Sequence, residues 1–157
     1  MAPFLDVVVG LGSNLGDRRR TLDLATQRLG SLSDTRVVAT SEWRETDPVG
    51  DVAQGPFLNG AARLHTTLAP RALMDALLAI EASMGRVRRV QWGPRTLDLD
   101  VLWIDGVIVD DARLTVPHPR LMERAFALGP LVEVARDARD PRDGRRYADV
   151  YAALTSR

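Results

Sequence analysis

Cysteine and lysine are both missing from this chain. Without cysteine there is no disulfide, no thiolate nucleophile and no Cys-based zinc site. Without lysine there is no P-loop lysine and no Schiff-base chemistry. All 21 basic residues are arginines, so a side chain that neutralises phosphate here is a planar, always-charged guanidinium. Net charge is missing as well: 21 acidic residues cancel the 21 basic ones, which leaves no global field to gather nucleic acid or a membrane surface. No apolar run approaches membrane-spanning length. The N-terminal MAPFLDVVVG has no basic residue ahead of its apolar stretch, and Asp6 interrupts it, so it does not read as a signal peptide. The expectation is a cytoplasmic protein. The 157 residues, 45% hydrophobic and 27% charged, suit one compact domain spanning 1–157 with a real core, with no repeat, low-complexity tract or linker.

Hydrophobic periodicity gives the order of elements. Phe4–Val9 reads as a buried strand running into the turn-rich GLGSNLGD. Those glycines suggest a phosphate nest, but without a following GK[ST] they fit a tight turn at a helix start better. Asp17 is a natural N-cap, and Leu22, Leu24, Ala25 and Leu29 line one helical face ending near Gly30. Val37–Trp43 is a second strand, followed by ETDPVGDVAQGP, a proline- and glycine-rich loop. In a third strand, 57–67, alternation places Phe57, Asn59, Ala61, Arg63 and His65 on one face. Pro70 opens a helix carrying Leu73, Leu77, Ile80 and Met84 and stopping at Gly85. After an arginine-rich loop, Thr96–Ile104 is the clearest strand, and Asp105-Gly106 predicts a hairpin into Val107–Val109. Further on, Pro117 and Pro119 bracket His118, a helix over 122–134 is expected to break at Gly129-Pro130, and Tyr147–Leu154 closes the chain as a helix. The order β-α-β-β-α-β predicts an α+β, ferredoxin-like core: an antiparallel sheet, helices packed on it, and extra C-terminal elements.

The chemistry concentrates in TLDLDVLWI. Period two puts Asp98 and Asp100 on one face of the strand, about 7 Å apart, with Leu97, Leu99, Val101 and Trp103 on the core face. Two neighbouring carboxylates repel, and a hard divalent cation relieves that cost; magnesium completes its shell with waters and substrate phosphates. A lone D-x-D is more often a solvated strand edge. What changes the balance is the preceding loop, with Arg86, Arg88, Arg89 and Arg95 around Trp92-Gly93-Pro94. Guanidinium forks beside a paired-aspartate strand are the combination polyphosphate transfer needs. Trp92, held between glycine, proline and polar residues, suits a stacking or capping role.

GRVRRVQWGPRTLDLDVLW, with VGLGSNLGD before it, FLNGA between them and LTVPHP…RAF after, resembles the 6-hydroxymethyl-7,8-dihydropterin pyrophosphokinases of folate biosynthesis. The likeness covers roughly the first five-sixths of the chain, and WGPRTLDLD and LTVPH are its specific blocks. It implies transfer of the β,γ-diphosphate of ATP to the pterin hydroxymethyl group with release of AMP, assisted by two magnesium ions. By the same likeness Asp98 and Asp100 are the metal ligands, and Arg86 and Arg95 join them as catalytic residues. Glu81, Arg86, Arg88, Trp92, Arg95, Arg113, His118 and Arg124 would surround ATP. Phe57 and Phe126 would sandwich the pterin, Asn59 would read its aminopyrimidine edge, and Asn14, Thr46, Pro48, Val49 and Trp92 would complete that site. Two loops, 45–56 and 86–92, would close over the substrates. Asp98 and a metal-bound hydroxide are the two candidates to take the hydroxyl proton. Three positions depart from common members: Gln91 where many have arginine, Pro119 where some have an aromatic, and Phe57 where some have tyrosine.

The residues alone favour part of this. Phe57 and Asn59 share a strand face, and a ring beside an amide suits a flat heteroaromatic with a donor–acceptor edge. Core packing is the ordinary role of Phe57 and Phe126, and His65 reads as a solvent-facing strand residue. A nucleic-acid-binding module on the same fold calls for exposed aromatics on the central strands and net positive charge, and the sequence offers neither. A non-catalytic nucleotide-binding domain has no need of paired metal ligands. The partners expected are small molecules, with no nucleic acid or membrane, for a monomer.

Overall fold

The computed structural model describes residues 3–46, 56–84 and 97–156. Strand β1 is Leu5–Ser13, helix α1 Arg18–Gly30, strand β2 Thr35–Thr40, strand β3 Arg44–Thr46, strand β4 Phe57–Thr66, helix α2 Pro70–Ser83 and strand β5 Asp98–Ile104. The four long strands form one sheet in the order β2-β4-β1-β5, and β3 adds to the same β4 edge as β2. All pairings are antiparallel. This is the ferredoxin-like arrangement expected from the order of elements. A small ribbon of β6 (Val109–Asp110) and β7 (Thr115–Val116) follows, then a 3-10 turn at Leu121–Glu123, helix α3 (Ala125–Val134) and helix α4 (Tyr147–Thr155). No described helix is long and apolar enough to cross a membrane.

The two faces of the sheet are covered differently. On one, Val7, Val9, Leu11, Leu64, Leu99 and Val101 pack against Leu22, Ala25 and Leu29 of α1 and Leu73, Leu77 and Ile80 of α2. Asp17 starts α1 as foreseen, its side chain accepting from the N–H of Arg20. Pro70 occupies the first turn of α2, where its missing N–H costs nothing. On the other face, Val8, Ala61, Leu102 and Trp103 meet Leu128, Leu131 and Val134 of α3, with Tyr147 of α4 behind them. Among the described residues, this second cover reaches only part of the sheet.

Several expectations are corrected. β1 does not stop at Val9: Gly10-Leu11-Gly12-Ser13 remain in the strand, the first three paired with both neighbours and Ser13 with β4, and only Gly16 (φ +75°) takes a turn conformation. Val9, Leu11 and Ser13 are all buried, Gly12 with them, and pairing on both sides carries the strand through its glycines. Trp103 lies on the opposite face from Leu99, because a β-bulge lets Val8 pair with Trp103 and Val9 with Val101, so that Leu102 and Trp103 both turn toward α3. Trp103 Nε1 donates to the carbonyl of Arg139 at 2.8 Å. The strand expected over 37–43 ends at Thr40, and Glu45 and Thr46 belong to β3 rather than to a loop. Asp105-Gly106 makes its turn, with Gly106 at φ +68° and Val107 N–H bonded to the Ile104 carbonyl at 3.1 Å. The strand beyond it pairs with β7, however, and not back onto β5. Leu24 is 38% exposed, off the apolar stripe. Finally, α3 runs unbroken through Gly129 and Pro130. Pro130 has no N–H for the Phe126 carbonyl, yet Leu128, Gly129, Pro130 and Leu131 are all buried, and that packing holds the helix together.

Candidate active site

Among the described residues, the part of the second face beyond α3 lies around the C-terminal half of β1. There Gly12 pairs with Asn59 on one side and Asp98 on the other, and Gly10 pairs with Ala61 and Asp100. Cross-strand partners share a face, and strands lie about 4.8 Å apart, so Asn59 and the aspartates stand about 10 Å apart on either side of two glycines. A Cβ on Gly12 would fall 2.7 Å from Asn59 Oδ1 and 3.7 Å from Phe57 Cδ1, and one on Gly10 would fall 3.1 Å from Leu102 Cδ1. The side chains of Asn59, Phe57 and Leu102 therefore lean over the two glycines, which make room for them in the sheet.

On one bank, Asp98 is half-buried and Asp100 exposed, with Leu99 buried in the core between them. That alternation is the one read from the sequence. The N–H of Leu99 donates to Glu81 Oε2 at 2.8 Å, and Glu81 is only 3% exposed. A buried carboxylate thus holds the strand at the residue separating the two aspartates, a charge-assisted bond stronger than an ordinary backbone pairing.

Arg124, at the start of α3, faces the same bank. Burial and the neighbouring Arg120 lower its pKa, while the charges of Asp100, Glu123 and Asp98 oppose that shift. Its guanidinium carbon lies 5.5 Å from the centre of the Phe126 ring, a cation–π distance. His118 is fixed to the outer edge of β5, its N–H bonded to the Leu102 carbonyl at 2.9 Å. Its Nδ1 accepts from the N–H of Arg120 at 3.2 Å. Burial first, then Arg124 and Arg120, lower the imidazole pKa below its ordinary 6.5. His118 is consequently neutral at pH 7, with its proton on Nε2. Arg113 meets Asp75 of α2 at 4.0 Å, and its own N–H is bonded to Asp111.

The other bank is built around Asn59. Its Nδ2 donates to Thr46 Oγ1, and both Phe57 and Asn59 are half-buried. Asn14, just past the end of β1, is buried to 8%. Phe126 is half-buried at the start of α3. Of the residues implicated by sequence, Pro48, Val49, Arg86, Arg88, Trp92 and Arg95, together with Arg89 and Gln91, lie outside the described residues.

Two features had no clear sequence signal. One is the place of Gly10 and Gly12 inside β1, because both read as turn residues; the alternation of Val9, Leu11 and Ser13 with them was the available clue. The other is the anchoring of segment 41–46. Glu42 N–H and Arg44 Nη2 both bind Glu133 of α3, at 2.7 and 2.6 Å, whereas Trp43 Nε1 binds Asp23 of α1 at 2.9 Å. Residues on this short stretch alternate between helices on opposite faces of the sheet, and it delivers Thr46 to Asn59. These contacts join residues 20 to 91 positions apart, which no local pattern encodes.

Whether the aspartate bank suits magnesium can be judged from its donors. Both are hard carboxylate oxygens, and among the described residues no group of three or more His, Cys, Asp or Glu forms a closed protein cage. A pair of carboxylates on one strand face, with no third such ligand among the described residues, fits a cation that keeps waters and takes the rest of its shell from phosphate.

A family model for 7,8-dihydro-6-hydroxymethylpterin-pyrophosphokinase matches residues 8–136. The chain is 48% identical over 147 residues to the 2-amino-4-hydroxy-6-hydroxymethyldihydropteridine pyrophosphokinase of Pseudomonas aeruginosa, covering 94% of this chain and 90% of that protein. It is 43% identical to the enzyme of the same name from Bacillus subtilis, over 82% of this chain and 77% of the other. Among solved structures, wild-type Plasmodium falciparum HPPK-DHPS with pterin and p-hydroxybenzoate superposes with a TM-score of 0.72 over 98% of this chain and 42% of that one. At 15% identity, that likeness speaks for the fold.

Proposed function

The chain belongs to the 7,8-dihydro-6-hydroxymethylpterin-pyrophosphokinase family, and on that premise we propose that the face carrying Asn59 and the Asp98–Asp100 pair is where it moves the β,γ-diphosphate of ATP onto the hydroxymethyl group of 6-hydroxymethyl-7,8-dihydropterin, a step of folate biosynthesis that releases AMP. The observation that carries the assignment is the opposition of Asn59 and the Asp98–Asp100 pair across Gly12 and Gly10. One bank is shaped for a flat, neutral heterocycle and the other for polyphosphate.

On the heterocycle bank, Asn59 offers an amide donor and acceptor to the aminopyrimidine edge, and Phe57 and Phe126 supply ring faces for stacking. Thr46 orients the Asn59 amide through their hydrogen bond. On the phosphate bank, Asp98 and Asp100 would hold two magnesium ions. Magnesium there would neutralise charge on the transferred diphosphate and hold it in line with the attacking oxygen. Arg124 adds a fixed positive charge next to the aspartates, while His118 presents Nε2–H, a donor without a charge. Arg86, Arg88 and Arg95 would complete the clamp. Glu81 acts on this bank through the strand, fixing Leu99 so that both carboxylates keep their direction. Positioning and charge neutralisation carry most of such a transfer, so no strongly basic side chain is needed.

The test is AMP release from ATP, magnesium and the hydroxymethyl dihydropterin. Wild-type protein releases AMP only when the pterin is present. Asp98→Ala and Asp100→Ala each lower turnover by about a thousandfold, several kcal/mol of transition-state stabilisation, with an unchanged circular dichroism spectrum. A folded Asp98→Ala protein with wild-type turnover would reject the assignment of this bank.

A further inference from the structure

We propose that Arg18 is a positioning residue for the pterin bank, holding together the two chain ends that flank segment 47–55; this rests on the reading of Asn59 and Phe57 given above. Arg18 opens α1. Its Nη2 donates to Glu45 Oε1 at 2.7 Å, and its Nη1 donates to the carbonyl of Pro56 at 2.8 Å. Glu45 lies one residue before Thr46, and Pro56 one residue before Phe57. Thr46 and Phe57 are themselves the terminal pair of the β3–β4 ladder. A single guanidinium therefore clasps the open end of the ribbon on which Thr46, Phe57 and Asn59 stand.

Such a ribbon end needs an anchor. β3 has three residues, and a ladder that short has little cooperativity of its own. Glu133 secures Glu42 and Arg44, at the start of the stretch. Arg18 secures its far end, nearest the pterin bank. The two donors leave the planar fork in fixed directions, so the side chain sets the spacing of Glu45 and Pro56 as well as attracting them. Global stability depends little on the contact, because the Arg18 and Glu45 side chains are 29% and 56% exposed and exposed ion pairs contribute little.

The pterin carries no charge, so its KM at saturating magnesium-ATP reports the geometry of this bank rather than the field of one arginine. Arg18→Ala raises the pterin KM about tenfold, as expected for loss of a charge-assisted bond and a carbonyl bond that act in the bound state. The ATP KM and the melting temperature stay close to wild type. Arg18→Lys recovers only part of the loss, since a point charge does not reproduce the fork. Added salt raises the wild-type pterin KM toward that of Arg18→Ala and leaves the variant's own value little changed. An Arg18→Ala protein with an unaltered pterin KM, or one whose pterin and ATP constants rise in parallel with a fall in melting temperature, overturns the proposal. Wild-type protein that turns over while Arg18→Ala matches it sinks this inference alone; wild-type protein that releases no AMP sinks the functional reading beneath it.

Discussion

The two faces of the sheet use the same residue type for opposite ends. Gly60 of β4 points to the side covered by α1 and α2, where an added Cβ would lie 2.2 Å from Trp43 Cε3 and 2.9 Å from Ser41 Oγ. Its missing side chain is filled by a tryptophan ring, which in turn is bonded to Asp23. Gly12, paired between Asn59 and Asp98, points to the other face, and its missing side chain makes room for the Asn59 amide, whose Oδ1 would lie 2.7 Å from an added Cβ. A glycine inside a strand lowers stability in either place. Core packing recovers that cost at Gly60, whereas the space at Gly12 seats the Asn59 amide on the face proposed to bind substrate. Whether a small residue serves the fold or the reaction is thus decided by what covers it.

The sharpest way to break this comparison is to fill both spaces with the same methyl group. Gly60→Ala forces the indole away from β4, and overpacking against a ring costs about 3 kcal/mol. For a chain of this length that is a fall of about 8 °C in melting temperature, read by scanning calorimetry. A Gly60→Ala protein melting with wild type would show that Trp43 moves aside freely.

Gly12→Ala has a smaller effect of a different kind. The new Cβ would meet Asn59 Oδ1 at 2.7 Å, so the amide must rotate away and give up its bond to Thr46. The expected result is a pterin KM raised about tenfold, the worth of one misplaced polar contact, with melting temperature within about 2 °C of wild type. Steady-state kinetics against each substrate separately checks it, because the ATP KM should hardly change. A large stability loss with normal pterin kinetics would mean that Gly12 serves the fold, as Gly60 does.

The parts of this architecture legible in the sequence are those set by local period. The Asp98–Leu99–Asp100 alternation, the Phe57 and Asn59 face, the Asp17 cap and the Pro70 start all follow from repeats of 2 or 3.6 residues and from capping chemistry, and each is found. What escaped is set by distant partners. Trp103 changes face because of a bulge opposite Val8 and Val9, and nothing in TLDLDVLWI marks it. Pro130 stays in α3 because sheet and α4 bury that turn, overriding a local helix breaker. Gly10 and Gly12 stay in β1 because both neighbouring strands pair with them. Glu133 and Arg18 acquire their roles only when β3 is laid between the helices.

The smallest expected effect tests the rim where the covered and open halves of the second face meet. His118 sits there, half-buried, with Arg124 and Arg120 beside it. Its pKa in the folded protein lies below the unfolded value of 6.5, so below that pH the unfolded chain binds the additional proton first. The stability that neutral His118 confers is complete above pH 6.5 and is lost as the pH falls toward the folded-state value. Melting temperature should therefore decline from pH 7 to 5 more steeply in wild type than in His118→Gln, whose amide keeps polar groups at the rim without titrating. The difference between the two profiles isolates this histidine from the other acid-sensitive groups. Parallel profiles would show that the rim is open enough for an imidazolium to be solvated there, and the boundary between covered and open sheet would then lie closer to α3 than His118.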